Sequence, residues 1–193
     1  MKEIIFFGRG GQGGVTGAQI LAEAAVLCGK YSDCSSFPSF GAERRGAPIE
    51  AYCRISNHKI WTRMAIQTAD MAMVLDETIF GQHIVDKLKP HGVLLLNTPK
   101  CPNDIYALSD FQGKKVTIIT SDLTQICFDL SLLNQESQPI LNTPILGLVT
   151  KTNLGLLLDD LAPAITDHIG EKKAGKNIEA ATLAANHAQI QEF

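Results

Sequence analysis

Residues 3–27 read EIIFFGRGGQGGVTGAQILAEAAVL, and the reading of the fold starts from this stretch. The apolar run Ile4–Phe7 breaks into a loop with five glycines between Gly8 and Gly14. An amphipathic helical pattern follows from Val15, with Ala18, Leu21, Ala22, Ala25 and Val26 on one face and Gly29 as its stop. Strand, glycine turn and helix is how an α/β sheet builds an anion site. Glycines let backbone N–H groups approach a ligand, and the helix N-terminus adds partial positive charge. Gly8, Gly10 and Gly13 satisfy G-x-G-x-x-G, with Gly11 beside them. A second reading needs no ligand: the same glycines permit a sharp turn and tight strand–helix packing. The pattern leaves both open.

Outward from this unit, strands and helices alternate. Ile49–Ser56 has period two, as a half-buried strand does. The turn Ser56–Lys59 followed by IWTRM (60–64) predicts a hairpin, with Trp61 in the core or at an interface. The run MAMVLD (71–76) predicts a buried parallel strand ending in the helix cap Asp76. Ile79, Phe80, Ile84, Val85 and Leu88 predict a helix stopped by Pro90 and Gly92. VLLLN (93–97) and VTIIT (116–120) predict two more buried strands, the second followed by a helix capped at Ser121 or Asp122. From Pro144 the chain reads as helical: 144–158, then 159–169 with Asp159 and Asp160 at the start. A charged connector follows at 170–177, then an alanine-rich helix over 178–191 anchored by Ile178, Leu183, His187 and Ile190. The fold expected is α/β: a single domain over residues 1–193, with a mainly parallel sheet, a β-hairpin insertion and a helical C-terminal cap.

Bulk properties narrow the function. The 193 residues suffice for one substantial core, with 45% hydrophobic and 19% charged residues. A net charge of −3 without a basic stripe argues against nucleic acid. The five cysteines, Cys28, Cys34, Cys53, Cys101 and Cys127, form no C-x-x-C, so no iron–sulfur or zinc run is expected. Scattered thiols, no signal peptide and a four-residue N-terminal apolar run point to the cytoplasm and away from a membrane. Catalytic sets are also missing. Gly13 is followed by Gly14-Val15 where a P-loop needs Lys-Ser/Thr, and there is no G-x-S-x-G or H-E-x-x-H. No catalytic residue and no metal ligand is assigned.

The second informative segment is SSFPSFGAERRGAP (35–48). Its glycines and prolines read as a loop, long for a mere connection. Glu43 with Arg44 and Arg45 is either a locally paired surface cluster or a set of planar cations for a carboxylate, a phosphate or a partner subunit. Asp33 lies roughly 20 residues beyond the glycine loop, where a ribose-binding acid would stand. Its surroundings, KYSDCSS, favour a turn residue instead.

The pair GRGGQGGVTGAQILAEAA (8–25) and FPSFGAERRGAPIEAYCRIS (37–56) resembles the gamma subunit of the 2-oxoacid:ferredoxin oxidoreductases, the pyruvate synthase group. The likeness continues through DMAMVLDETIF (70–80), GVLLLNT (92–98) and Asn142–Gly147, and is weakest over 100–135. The resemblance implies a multisubunit enzyme that converts a 2-oxoacid and coenzyme A to acyl-CoA and carbon dioxide while reducing ferredoxin. It implies that thiamine diphosphate and the iron–sulfur clusters sit on other subunits, thiamine-binding alpha and beta and a ferredoxin-like delta. This chain is then structural and close to coenzyme A, with cofactor-binding contacts at Gly8, Gly10, Gly11 and Gly13. Arg9, Gln12, Phe40, Glu43, Arg44 and Arg45 are expected to face an interface or the active site. The loop Phe40–Pro48 looks like the pyruvate and branched-chain type rather than the 2-oxoglutarate type, so pyruvate is expected first and 2-oxoisovalerate second. Two other readings stay open: a stand-alone nicotinamide dehydrogenase using Asp33, and a nucleotide-sensing Rossmann-type protein.

Overall fold

The computed structural model describes residues 1–39 and 46–193. Phe40, Glu43, Arg44 and Arg45 lie outside the described residues. Among the described residues seven strands form one sheet: β1 (Lys2–Arg9), β2 (Asp33–Pro38), β3 (Pro48–Ser56), β4 (Ala69–Val74), β5 (Leu88–Asn97), β6 (Val116–Ser121) and β7 (Gln189–Glu192), in the order β2-β3-β1-β4-β5-β6-β7. β1, β4, β5 and β6 are parallel neighbours. β3 runs antiparallel between β1 and β2, and β7 antiparallel to β6.

The parallel strands read as unbroken apolar runs because both faces are covered. Ile4, Phe6, Met71, Met73, Leu95 and Ile119 point to one face. There they meet α1 (Gly14–Leu27), α4 (Leu123–Asp129), α5 (Pro144–Val149), α6 (Leu158–Ile169) and α7 (Glu171–Asn186). Ile5, Phe7, Val74, Leu94, Leu96 and Ile118 point to the other, under α2 (Gln82–Lys87) and α3 (Pro102–Ala107). One helical layer is thick and the other thin.

Several expectations need correction. The hairpin exists, but its arms are β2 and β3, in register from Asp33 opposite Ser56 to Pro38 opposite Ala51. Residues 60–64 form no strand, because both edges of β3 are already taken, by β1 and β2. Instead Ile60 donates its N–H to Asp33 Oδ2 at 2.7 Å. The single helix expected over 79–88 is split at Gly81 into a 3-10 turn (Glu77–Ile79) and α2, and Leu88 already belongs to β5. The helix expected over 144–158 ends at Val149, and a loop leads to α6.

The charged stretch 170–177 is no connector. Gly170, with φ 85°, breaks the chain, and α7 starts at Glu171. The charges face solvent while Ala174 and Asn177 point inward. The buried face of α7 is Ala174, Ala180, Ala181, Ala184 and Ala185, with Ile178 and Leu183 only packed at its margin. Small residues serve here because α5 comes so close that a Cβ on Gly147 would lie 1.9 Å from the carbonyl oxygen of Ala181. The helix then stops at Asn186, and Gln189–Glu192 pairs with β6.

This crossing predicts opposite outcomes for two alanine substitutions. Gly147→Ala must push α5 off α7 and is expected to destabilise the chain by about 3 kcal/mol, the upper end for overpacking. Gly175, inside α7 with open space around it, should gain roughly 0.5–1 kcal/mol as alanine. Urea unfolding of both variants checks the pair; a harmless Gly147→Ala would refute the close crossing.

Candidate functional site

Asp76, at the carboxyl end of β4, gathers the loop around itself. Its Oδ2 accepts from Arg9 Nε and from Gln12 Nε2, each at 3.0 Å. Its Oδ1 accepts from the Thr78 N–H at 2.9 Å and the Thr78 hydroxyl at 2.6 Å. Burial alone would push the carboxyl up. The hydrogen bonds from Thr78 and Gln12 and the charge of Arg9 outweigh it and hold Asp76 below the usual carboxylate range. The predicted cap is therefore real, and it carries more than a cap.

The glycine loop is closed on itself. Gln12 turns back so that its Oε1 accepts the Arg9 N–H at 2.7 Å. Gly8 makes this possible, since a Cβ there would lie 3.2 Å from that oxygen. Gly10 extends β1 by bonding on both sides to the foot of the 40–45 segment: its N–H to Ala47 O, and its carbonyl accepting from Gly46 N. Gly13, left-handed at φ 85°, packs under Asn142, whose Cβ would stand 2.8 Å from an added Cβ. Gly11 is exposed and, among the described residues, has open space around it. Arg9 also donates to the Gly46 carbonyl at 3.0 Å and to the Thr78 hydroxyl at 2.7 Å. One guanidinium thus joins the ends of β1 and β4 to the start of β3.

Beside the loop a cleft of about 760 Å³ opens over the carboxyl ends of β1, β4, β5 and β6. Arg9, Gly10 and Gln12 form one wall, Asp76 and Asn97 the floor, and Thr98 and Asp122 the far side. Asn97 sutures this floor. It donates to Leu75 O at 2.9 Å, and its Oδ1 accepts the Leu123 and Thr124 N–H groups at the start of α4. Glu77 is held low by Lys100 and by the Thr98 hydroxyl. Asp33 is at the other end of the sheet, opposite Ser56, so it does not share a site with Gly8–Gly13.

The comparisons with known proteins fit this arrangement. The family model described as pyruvate ferredoxin/flavodoxin oxidoreductase matches residues 3–187. The chain belongs to this family. It is 38% identical to the pyruvate/ketoisovalerate oxidoreductases common subunit gamma of Pyrococcus furiosus, over the whole of both chains. The crystal structure of the pyruvate oxidoreductase subunit PORC from Thermotoga maritima superimposes with a TM-score of 0.80 and 30% identity, covering 99% of each chain. A 2-oxoglutarate:ferredoxin oxidoreductase from Magnetococcus marinus, with 2-oxoglutarate, coenzyme A and succinyl-CoA bound, contains the fold. There the TM-score is 0.66 at 21% identity, over 96% of this chain and 31% of that one. The chain is thus a gamma-type subunit of a multisubunit 2-oxoacid:ferredoxin oxidoreductase. The resemblance read from the two motifs is borne out, as is the α/β fold.

Of the site residues expected from sequence, Gly8, Arg9, Gly10, Gly11, Gln12 and Gly13 come together at this loop. Sequence reasoning missed Asn97, Thr78 and the packing role of Asn142. A polar side chain closing an apolar strand, as in VLLLN, was the available signal for Asn97. Among the described residues no set of His, Cys, Asp and Glu could hold a metal, and no helix is long and apolar enough to cross a membrane. All five cysteines are free thiols.

Asp76→Ala is expected to cost about 1–3 kcal/mol, since Arg9 and Gln12 lose their acceptor. Because the folded pKa is depressed, the contribution is complete above the ordinary carboxylate value of about 4 and is lost as pH falls through the lower folded value. In urea unfolding, the gap between wild type and variant should therefore stay constant from neutral pH to about 5 and close below 4. A gap that widens on acidification would contradict the assignment.

Proposed function

We propose that this chain packs against the thiamine-binding alpha and beta subunits of its complex and offers them the cleft beside the glycine loop as part of the coenzyme A site. The complex then oxidatively decarboxylates pyruvate, with 2-oxoisovalerate second, to the acyl-CoA and carbon dioxide. Electrons pass through iron–sulfur clusters on other subunits, including a ferredoxin-like delta chain, to ferredoxin. Thiamine diphosphate is held outside this chain, and the complex is cytoplasmic.

The observation that carries this reading is the cleft of about 760 Å³ at the carboxyl ends of the parallel strands, where open α/β sheets bind ligands. The Magnetococcus enzyme, which contains the same fold, was solved with coenzyme A bound, and this supports the choice of ligand. The charge pattern adds a constraint. Among the described lining residues the cation is Arg9, which is committed to Asp76, while Glu77, itself held by Lys100 from outside the cleft, Asp122 and Glu136 add further carboxylates. A polyphosphate therefore needs positive charge from elsewhere. Arg44 and Arg45, on the segment that leads into the cleft residue Gly46, supply it in this proposal, with Phe40 and Glu43 beside them. Gly10 and Gly11 give the closest backbone approach.

The test is steady-state kinetics of the native complex. Arg44→Ala or Arg45→Ala should raise the KM for coenzyme A about 10-fold or more, the cost of a lost charge-assisted contact, without changing the KM for pyruvate. An unchanged KM for coenzyme A in both variants would remove the arginines from the site. The wild-type complex should rank pyruvate above 2-oxoisovalerate and both above 2-oxoglutarate in kcat/KM. A methyl against an isopropyl group is worth only about 1–3 kcal/mol, so cross-activity between the first two is expected.

A further inference from the structure

The segment following β3 is the least explained part of the surface. Between Asn57 and Ala65 the chain carries Lys59, Trp61, Arg63 and Met64 and no acid. Trp61 is 86% exposed and Met64 75%. Both stand on an anchored frame. Ile60 N–H is held by Asp33 Oδ2, Thr62 Oγ1 accepts the Met64 N–H at 3.3 Å, and Ile66 is buried in the core. Lys59 Nζ lies 5.9 Å from the Trp61 ring centroid. Arg63 lines a groove of about 380 Å³ against Cys34–Phe37 of β2 and has no acceptor among the described residues. Neither cation takes part in a salt bridge among the described residues.

A tryptophan, a methionine and an unpaired arginine raised together on a fixed loop match the composition of binding hot spots, whereas a solvated face is rich in lysine and glutamate. Because the loop is already ordered, docking costs little conformational entropy. We propose that Lys59–Met64 is a docking surface for a different subunit of this chain's own complex. Trp61 and Met64 enter an apolar pocket on that subunit, and carboxylates on the pocket rim pair with Arg63 and Lys59.

Two alternatives are disfavoured physically. A second copy docking through the same patch would, by two-fold symmetry, bring two patches with cations and no acid face to face, and like charges across an interface are repelled. An extended peptide adding to the free edge of β2 finds almost no donors. Ser39 N–H bonds to Glu50, so the odd positions face β3 and the even positions face outward. Of those, Cys34 N–H is taken by Asp33 Oδ1, and Pro38 has none, leaving Ser36. Recognition at this edge is therefore by side chains and suits a folded, pocketed partner. The proposal is independent of the coenzyme A cleft.

Trp61 is the only tryptophan in the chain, which makes it a direct reporter. The full chain, labelled with 5-hydroxytryptophan and excited to the red of ordinary tryptophan, is compared free and assembled into the complex. Assembly should blue-shift the emission and cut acrylamide quenching several-fold. Equal quenching in the two states overturns the proposal without any mutant. Trp61→Ala should weaken incorporation into the complex by roughly 10- to 100-fold, and Arg63→Ala should flatten the salt dependence of assembly. Leu108→Ala, another exposed apolar site at 58%, should do neither. Wild-type assembly of Trp61→Ala, or a self-associating free chain in which Trp61 becomes buried, would each refute it.

Discussion

The carboxylate of Asp76 is the constraint on which the working end of this molecule depends. A loop with five glycines between Gly8 and Gly14 has few side chains to hold it, and in a dinucleotide-binding fold the ligand phosphate organises it. Here an internal anion stands in that role. Asp76 fixes Gln12, Gln12 closes the Arg9 N–H, and Arg9 reaches on to Thr78 and Gly46. The loop is ordered by the chain itself, so its glycines serve approach by the protein's own segments at Gly8 and Gly13. The position of Asp33 at the opposite end of the sheet agrees with this, and the nicotinamide reading loses both of its supports.

From that closed loop the cleft follows. The carboxyl ends of the parallel strands are stitched in sequence. Leu75 N–H bonds to Phe7 O, Asn97 bonds to Leu75 O and to the first turn of α4, and Thr98 N–H bonds to Ser121 O. A rim sutured this way is rigid enough to present a shaped surface. On the described residues it offers binding groups rather than a nucleophile with its base. Burial pushes the Cys53 thiol well above its ordinary range and that of Cys127 up to about 12, which keeps both protonated in the core.

Much of the architecture was legible because both-face burial writes a strand as an apolar run: Ile4–Phe7, MAMVL, VLLLN and VTIIT are all strands. What failed depended on partners far away in sequence. Residues 60–64 alternate well enough for a strand, yet no free edge exists beside β3, a fact of topology rather than of local pattern. In α7 the eye follows Ile178 and Leu183, but the interior face is alanine because Gly147 brings α5 too near for anything larger. Gln189–Glu192 is polar and unremarkable as sequence, and becomes a strand only because β6 has an open edge. At the site, the motif located the loop correctly, while the filling of its donor by Gln12 depended on Asp76, 64 residues away.

The glycine loop is organised from within, by Gln12 and Asp76, and not by a dinucleotide. Amide hydrogen exchange of the full chain, followed by NMR with and without millimolar NAD, tests it at the atom concerned. The Arg9 amide should be strongly protected without ligand and unchanged by NAD, while the exposed Gly11 amide exchanges freely. Rapid exchange at Arg9 that NAD suppresses, with shifts spreading over Gly8–Gly13, would contradict the account.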